Sequence, residues 1–166
     1  MHARIVQISV SDGGVPKTGV SPARVSVDGL EGDAHRFRHH GGPERAVCLY
    51  SIEAIERLKA EGHSIAPGSI GENVTIEGLD WPTVAPGSHV LLGEQVLLQV
   101  TRYTKPCRTI KSAFNDGEFA RVSQDSHPGW SRVYARVLVE GTIRRGDPVR
   151  LLDEIQAIEL VVAASR

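Results

Sequence analysis

His89-Val90-Leu91-Leu92-Gly93-Glu94-Gln95-Val96-Leu97-Leu98-Gln99-Val100-Thr101 is the stretch that decides the fold class. Two apolar runs flank a Gly93-Glu94 turn, the pattern of a β-hairpin. Working outward, the same kind of signal recurs. On the N-terminal side, Val74-Thr75-Ile76 follows a loop at 67–73, and residues 46–50 form a short apolar run. Residues 24–27 are extended and close at Asp28-Gly29 and Glu31-Gly32-Asp33. Arg4–Val10 is β-branched at Ile5, Val6, Ile8 and Val10, and residues 16–22 read as loop. On the C-terminal side, Val133–Val139 reads as a strand, Glu140-Gly141 as a turn and residues 148–152 as another strand.

One helix stands out. Ser51 is a favoured N-cap, Glu53 puts negative charge in the first turn, and Ile52, Ile55 and Leu58 recur at helical spacing before Gly62. The longest helix is therefore expected near residues 51–62. A helical turn is expected within 106–113, while 114–129 is polar and shows no period. Many short strands and a single periodic helix predict a mainly β fold: a closed or nearly closed antiparallel β-barrel with a few short helices. Seventeen glycines and nine prolines in 166 residues supply the turns such a fold needs. No linker interrupts the pattern, so one domain is expected over 1–166, with its core at about 4–153.

A hydrophobic fraction of 40% is enough for a packed core without disulfides, and a net charge of −1 gives no long-range pull toward nucleic acid or a membrane. No apolar run approaches the roughly twenty residues that span a bilayer, and residues 1–8 lack a signal-peptide pattern. Two cysteines without a secretory signal read as free thiols in a reducing compartment, so the expectation is a cytoplasmic protein.

Three polar loops lie between expected strands, whose ends can aim their side chains. The first runs from Gly32 through His35, Arg36, Arg38, His39, His40, Gly41 and Gly42 to Arg45. Imidazoles ligate metals or move protons, guanidinium groups fork onto phosphate, and Gly41-Gly42 lets backbone N–H groups approach an anion. A solvated surface loop would have the same composition. The second, Pro67-Gly68-Ser69-Ile70-Gly71-Glu72-Asn73, offers an acid or base in Glu72 and a donor–acceptor in Asn73, although Asn is also a turn former. The third, Thr101-Arg102-Tyr103-Thr104-Lys105-Pro106-Cys107-Arg108, places a thiol between two cations that favour thiolate. Cys48, inside an apolar strand, reads as a small core residue, and Trp130 as a core anchor.

In order, Gly32-Asp33-x-His35, His40-Gly41-Gly42-Pro43-x-Arg45-Ala46-Val47, Pro67-Gly68-x-x-Gly71-Glu72-Asn73-Val74-Thr75-x-x-Gly78-Leu79, Val100-Thr101-x-x-x-x-Pro106-Cys107 and Gly141-x-Ile143-x-x-Gly146-Asp147-x-Val149 resemble the MOSC domain. Val74 departs from the Leu more usual after Glu-Asn in that family. The resemblance implies a β-barrel that binds a molybdenum cofactor (molybdopterin), with Cys107 as the cysteine that ligates molybdenum or carries sulfur. Members occur in cofactor sulfurases, in mitochondrial amidoxime-reducing enzymes and as short bacterial proteins, some of which reduce N-hydroxylated compounds. The 166 residues contain neither a ferredoxin-like cysteine cluster nor an aminotransferase-like stretch, so reduction would call on a separate electron-donor protein.

Two functions follow from the resemblance. The first is a molybdenum-dependent reductase of small N-hydroxylated substrates. Cys107 would be the metal ligand, and His35, His40 or Glu72 the proton source. Arg36, Arg38, Arg45, Asn73 and Arg108 are the candidates for holding the cofactor. The second is a carrier that holds cofactor or a persulfide on Cys107 and passes it on. A plain anion-binding barrel without molybdenum is the third option. The same cysteine serves the first two.

Overall fold

Ile5 and Ile8 are three residues apart in strand β1 (Arg4–Val10), yet both are fully buried. Strict alternation would send them to opposite faces. A bulge between Ile5 and Gln7 adds a residue to β1 opposite its neighbour and brings both side chains into the core. The computed structural model describes residues 2–35 and 40–166.

The further strands are β2 (Thr18–Val20), β3 (Ala23–Ser26), β4 (Gly29–Leu30), β5 (Val47–Ser51), β6 (Val74–Glu77), β7 (His89–Leu92), β8 (Val96–Tyr103), β9 (Val133–Val139), β10 (Gly141–Ile143) and β11 (Val149–Leu152). Eight of them form one sheet in the order β11-β7-β8-β9-β5-β6-β1-β2, and β10-β3-β4 form a second sheet of three. Mainly β with few helices is therefore what the chain builds.

The closed antiparallel barrel is corrected on two counts. The large sheet is mixed, because β5 and β6 run parallel; helix α1 (Ile52–Ala60) lies in the crossover between them. Its ladder also does not close. β11 and β2 remain its edges, and only an isolated bridge from Arg4 to Pro148, with backbone bonds such as Val149 N to Ala3 O at 2.9 Å, ties β1 to the approach of β11. Closure depends on shear between strands distant in sequence, which no single strand's pattern carries. A smaller correction is β2, which pairs with β1 inside the segment expected as loop.

The β7–β8 hairpin forms with His89 opposite Gln99 and Leu92 opposite Val96, so its connection takes in Gln95 as well as the expected Gly93-Glu94. Its unusually continuous apolar character has a cause: both faces are covered. Val90, Leu92, Leu98 and Val100 enter the main core, whereas Leu91 and Leu97 join Val139 in a separate cluster on the other face. Ala157 of helix α2 (Glu154–Ala164) caps that cluster.

α2 has eleven residues against nine in α1, so the longest helix is not the expected one. Its start is legible as a capping box, with Asp153 accepting from the Gln156 N–H and Gln156 reaching back to Asp153 N. Its interior is apolar on nearly every side, with Ile155, Ile158 and Val162 exposed, and gives no amphipathic period. α1 forms as read, Ser51 accepting from Ala54 N at 3.2 Å while Ile55 and Leu58 are fully buried. Among the described residues no helix is long and apolar enough to cross a membrane.

Candidate functional site

The loop after α1 ends at Asn73, and every polar atom of that side chain is engaged by the protein. Its Oδ1 accepts from Cys48 N at 2.9 Å, and its Nδ2 donates to Ser9 O at 3.2 Å and to Asp33 Oδ2 at 2.9 Å. Its own N–H donates to Cys48 O. Asn73 thus ties β5, the end of β1 and the loop carrying Asp33 into one frame. It also lines the cleft described below, where only the second lone pair of Oδ1 is not used by the protein.

Asp33 is the second node. Its side chain is 2% exposed and accepts from Ser11 N at 3.0 Å and Lys17 Nζ at 2.6 Å. A buried charge pair of this kind persists only when its remaining lone pairs are occupied, and here Ser11 N and Asn73 Nδ2 do so. His35 Nε2 lies 4.0 Å from Asp33 Oδ2. Burial pushes the His35 imidazole below its ordinary range, with Asp33 opposing the shift, so the neutral ring is favoured at neutral pH. The ring also explains Gly41. A Cβ there would stand 2.6 Å from His35 Cδ2, so this glycine makes room for the imidazole.

Cys107 follows β8 and precedes a short 3-10 turn over Arg108–Ala113. Its Sγ is 3.1 Å from Thr109 Oγ1, and both line the same cleft. The other thiol differs: Cys48 is buried in β5, and desolvation pushes it up to about 12. Arg45 sits at the end of the Pro43–Arg45 turn, which Arg136 clamps through Glu44 at 2.8 Å, and its guanidinium lies 5.8 Å from the Tyr134 ring. Burial pushes the Tyr134 phenol up to about 12.

Arg132 lies just before β9 and is only 7% exposed. Its Nη1 donates to Ile70 O, and its buried Nε has no hydrogen-bond partner. A guanidinium left partly unsatisfied at a cleft wall is a ready anion contact.

One cleft therefore brings together Cys107, His35, His40, Arg45 and Asn73 from three loops. Glu72 and Arg108 are not among its walls. Glu72 points into the interior with no exposure; its Oε2 is 3.4 Å from Thr75 Oγ1 and its Oε1 has no partner. Burial pushes its carboxyl up to about 7, against its backbone bonds and Arg132. Arg108 is exposed on the neighbouring surface. Arg36 and Arg38 lie outside the described residues. Lys17, Asp33, Arg132 and Tyr134 were not among the expected site residues. Only Asp33 carried a signal, through Gly32-Asp33-x-His35. Trp130 is half-buried against the core, under Arg121 at 3.8 Å.

Among the described residues, no group of three or more His, Cys, Asp and Glu side chains could hold a metal ion.

Residues 36–150 match the model of the MOSC domain. The chain is 32% identical over 137 residues to a protein named "Reductase" from Gibberella moniliformis, covering 80% of this chain and 24% of that one. It is also 32% identical over 149 residues to YflK of Bacillus subtilis, covering 85% and 66%. It thus spans about a quarter of the fungal protein and about two thirds of YflK. The crystal structure of YiiM from Geobacillus stearothermophilus superposes with a TM-score of 0.71 at 27% identity, covering 91% of this chain and 75% of that one.

Proposed function

Because this chain belongs to the MOSC domain family, we propose that its cleft holds a molybdenum-containing pterin cofactor and that the loaded protein reduces N-hydroxylated compounds, with Cys107 as the metal ligand. The observation that carries this reading is the opening of the Cys107 sulfur onto the same cleft as Arg45, Arg132, His35 and His40. The residues fit the group. Both cysteines lie along the wall, but Cys48 is buried and Cys107 is the partly exposed soft donor; several cations surround it, and the orphaned Nε of Arg132 suits a phosphate oxygen.

When bound, the cofactor supplies two-electron redox chemistry and an oxygen-accepting metal. The chain's own residues do the rest. Cys107 gives up its proton on ligation. Arg45 and Arg132 hold the anionic end. His35, neutral at rest and braced by Asp33, takes a proton from solvent and presents it at Nε2 to the departing hydroxyl. The reaction balances as N–OH plus two electrons and two protons giving N–H and water.

The test is metal and pterin analysis of protein from a molybdate-supplied host, paired with turnover of an N-hydroxylated base driven by dithionite. Bound cofactor with turnover supports the reductase, and tight cofactor without turnover makes the protein a carrier. No cofactor in wild type, or full turnover by Cys107→Ser at normal molybdenum content, defeats the assignment.

A further inference from the structure

Between Gln95 and Asn115 the chain has no carboxylate, yet it carries Arg102, Lys105, Arg108 and Lys111 around Cys107. All four are exposed, and none has an ion-pair partner among the described residues. Several surface cations elsewhere are matched, as in Arg4–Glu77, Arg24–Glu140, Arg121–Glu61 and Arg136–Glu44, whereas the exposed Arg57, Arg144, Arg145 and Arg150 are spread over other elements and have no ion pair among the described residues. Arg108 and Lys111 sit on one 3-10 turn, where residues three apart eclipse, so both charges share one face. That face is continuous with the cleft. Thr109, which contacts the Cys107 sulfur, also walls the adjoining groove lined by Arg108 and Lys111.

From this arrangement we infer that the surface from Arg102 to Lys111 is a docking ledge for a small electron-carrier protein with an acidic face. The inference rests on the reading of Cys107 as the reacting centre. Arg45 and Arg132 would serve a small anion inside the cleft, and Lys105 stands at its wall where cleft and ledge meet. Cations left free on an outer rim act at longer range: they steer an oppositely charged face and set its orientation. A reductant must stop close to the sulfur, and the ledge holds an acidic surface there.

The probe is flavodoxin, an acidic flavin carrier, titrated into cofactor-free protein at low and at moderate ionic strength. Association is expected to weaken with salt and to fall roughly tenfold in Arg102→Glu/Lys111→Glu. Lys59→Glu/Arg150→Glu, with the same change in net charge on other surfaces, is expected to bind as wild type. Absence of association at low salt overturns the ledge, and so does equal weakening by both double variants. Tighter capture of a single-stranded oligonucleotide by the same residues overturns it in favour of a polyanion. A parallel assay on cofactor-loaded protein separates the two readings. Failure of dithionite-driven turnover beside intact flavodoxin binding removes the proposed reaction and leaves the ledge. Flavodoxin-driven turnover unchanged in Arg102→Glu/Lys111→Glu removes the ledge and leaves the reaction.

Discussion

Asn73 Nδ2 stands 2.9 Å from Asp33 Oδ2, and this one hydrogen bond joins the loop before β6 to the loop that carries His35. The carboxylate so held also anchors Lys17, and the same Asn side chain holds the Cys48 N–H. The cleft wall therefore depends on an amide held between Ser9, Asp33 and Cys48.

Asn73→Ala should leave the Cys48 N–H without its side-chain acceptor and Asp33 short of a donor. Unfolding in urea should show a loss of about 2–4 kcal/mol, the cost of stranding two buried polar groups. Asn73→Asp should lose more, since it sets a second carboxylate against Asp33. Native stability in both variants would show that the frame is held elsewhere.

Of the two thiols, Cys107 should be alkylated first in cofactor-free protein. It is half-buried at a cleft wall, whereas Cys48 is buried and its thiol is pushed up to about 12. Mass spectrometry of peptides after brief iodoacetamide treatment reads the order. Equal protection would make Cys107 a structural residue.

Glu72 predicts a pH dependence with a definite sign. Its folded value of about 7 lies above the unfolded 4.5, so between those values the folded chain holds the extra proton. Stability from this group is present at acidic pH and lost as pH rises through 7. A shift of that size corresponds to on the order of 3 kcal/mol. Glu72→Gln should remove the slope and gain on wild type at pH 8 more than at pH 5, as read by thermal unfolding at both. Parallel curves would place the titration elsewhere.

Arg132→Met should weaken cofactor retention by roughly tenfold to a hundredfold, the equivalent of one charge-assisted hydrogen bond. Inorganic phosphate, used as a probe in a thermal-shift titration, should lose its effect in the same variant. If Arg45→Ala abolishes both responses while Arg132→Met leaves them intact, the anion sits at the Tyr134 side of the cleft.

The hairpin, β9 and α1 were legible because each signal is local: a turn between apolar runs, an alternation, an N-cap ahead of helical spacing. What escaped depended on partners distant in the chain. Thr18–Val20 is exposed at all three positions, and it becomes a strand because β1 offers an edge. α2 hides its single buried residue, Ala157, among apolar neighbours that remain outside. In the site, Cys107 and the histidines stood out by chemistry in polar loops. Lys17 lay in a segment read only as loop, and Arg132 opens an otherwise ordinary β-strand. Their importance comes from the cleft wall, which is assembled from segments as distant in sequence as Lys17 and Arg132. Asn73, expected to hold the cofactor, lines the cleft, and its amide is also engaged by the backbone and by Asp33.

The cluster beneath α2 shares no residue with the main core. α2 is therefore expected to open from the sheet more readily than the main core unfolds, since none of the main-core residues packs in its cluster. Amide exchange in α2 would then run ahead of that in β8 and β9, with the cleft intact throughout. Mechanical load or a bulky attachment on that helix would then fall first on Leu91, Leu97 and Val139 rather than on the main core.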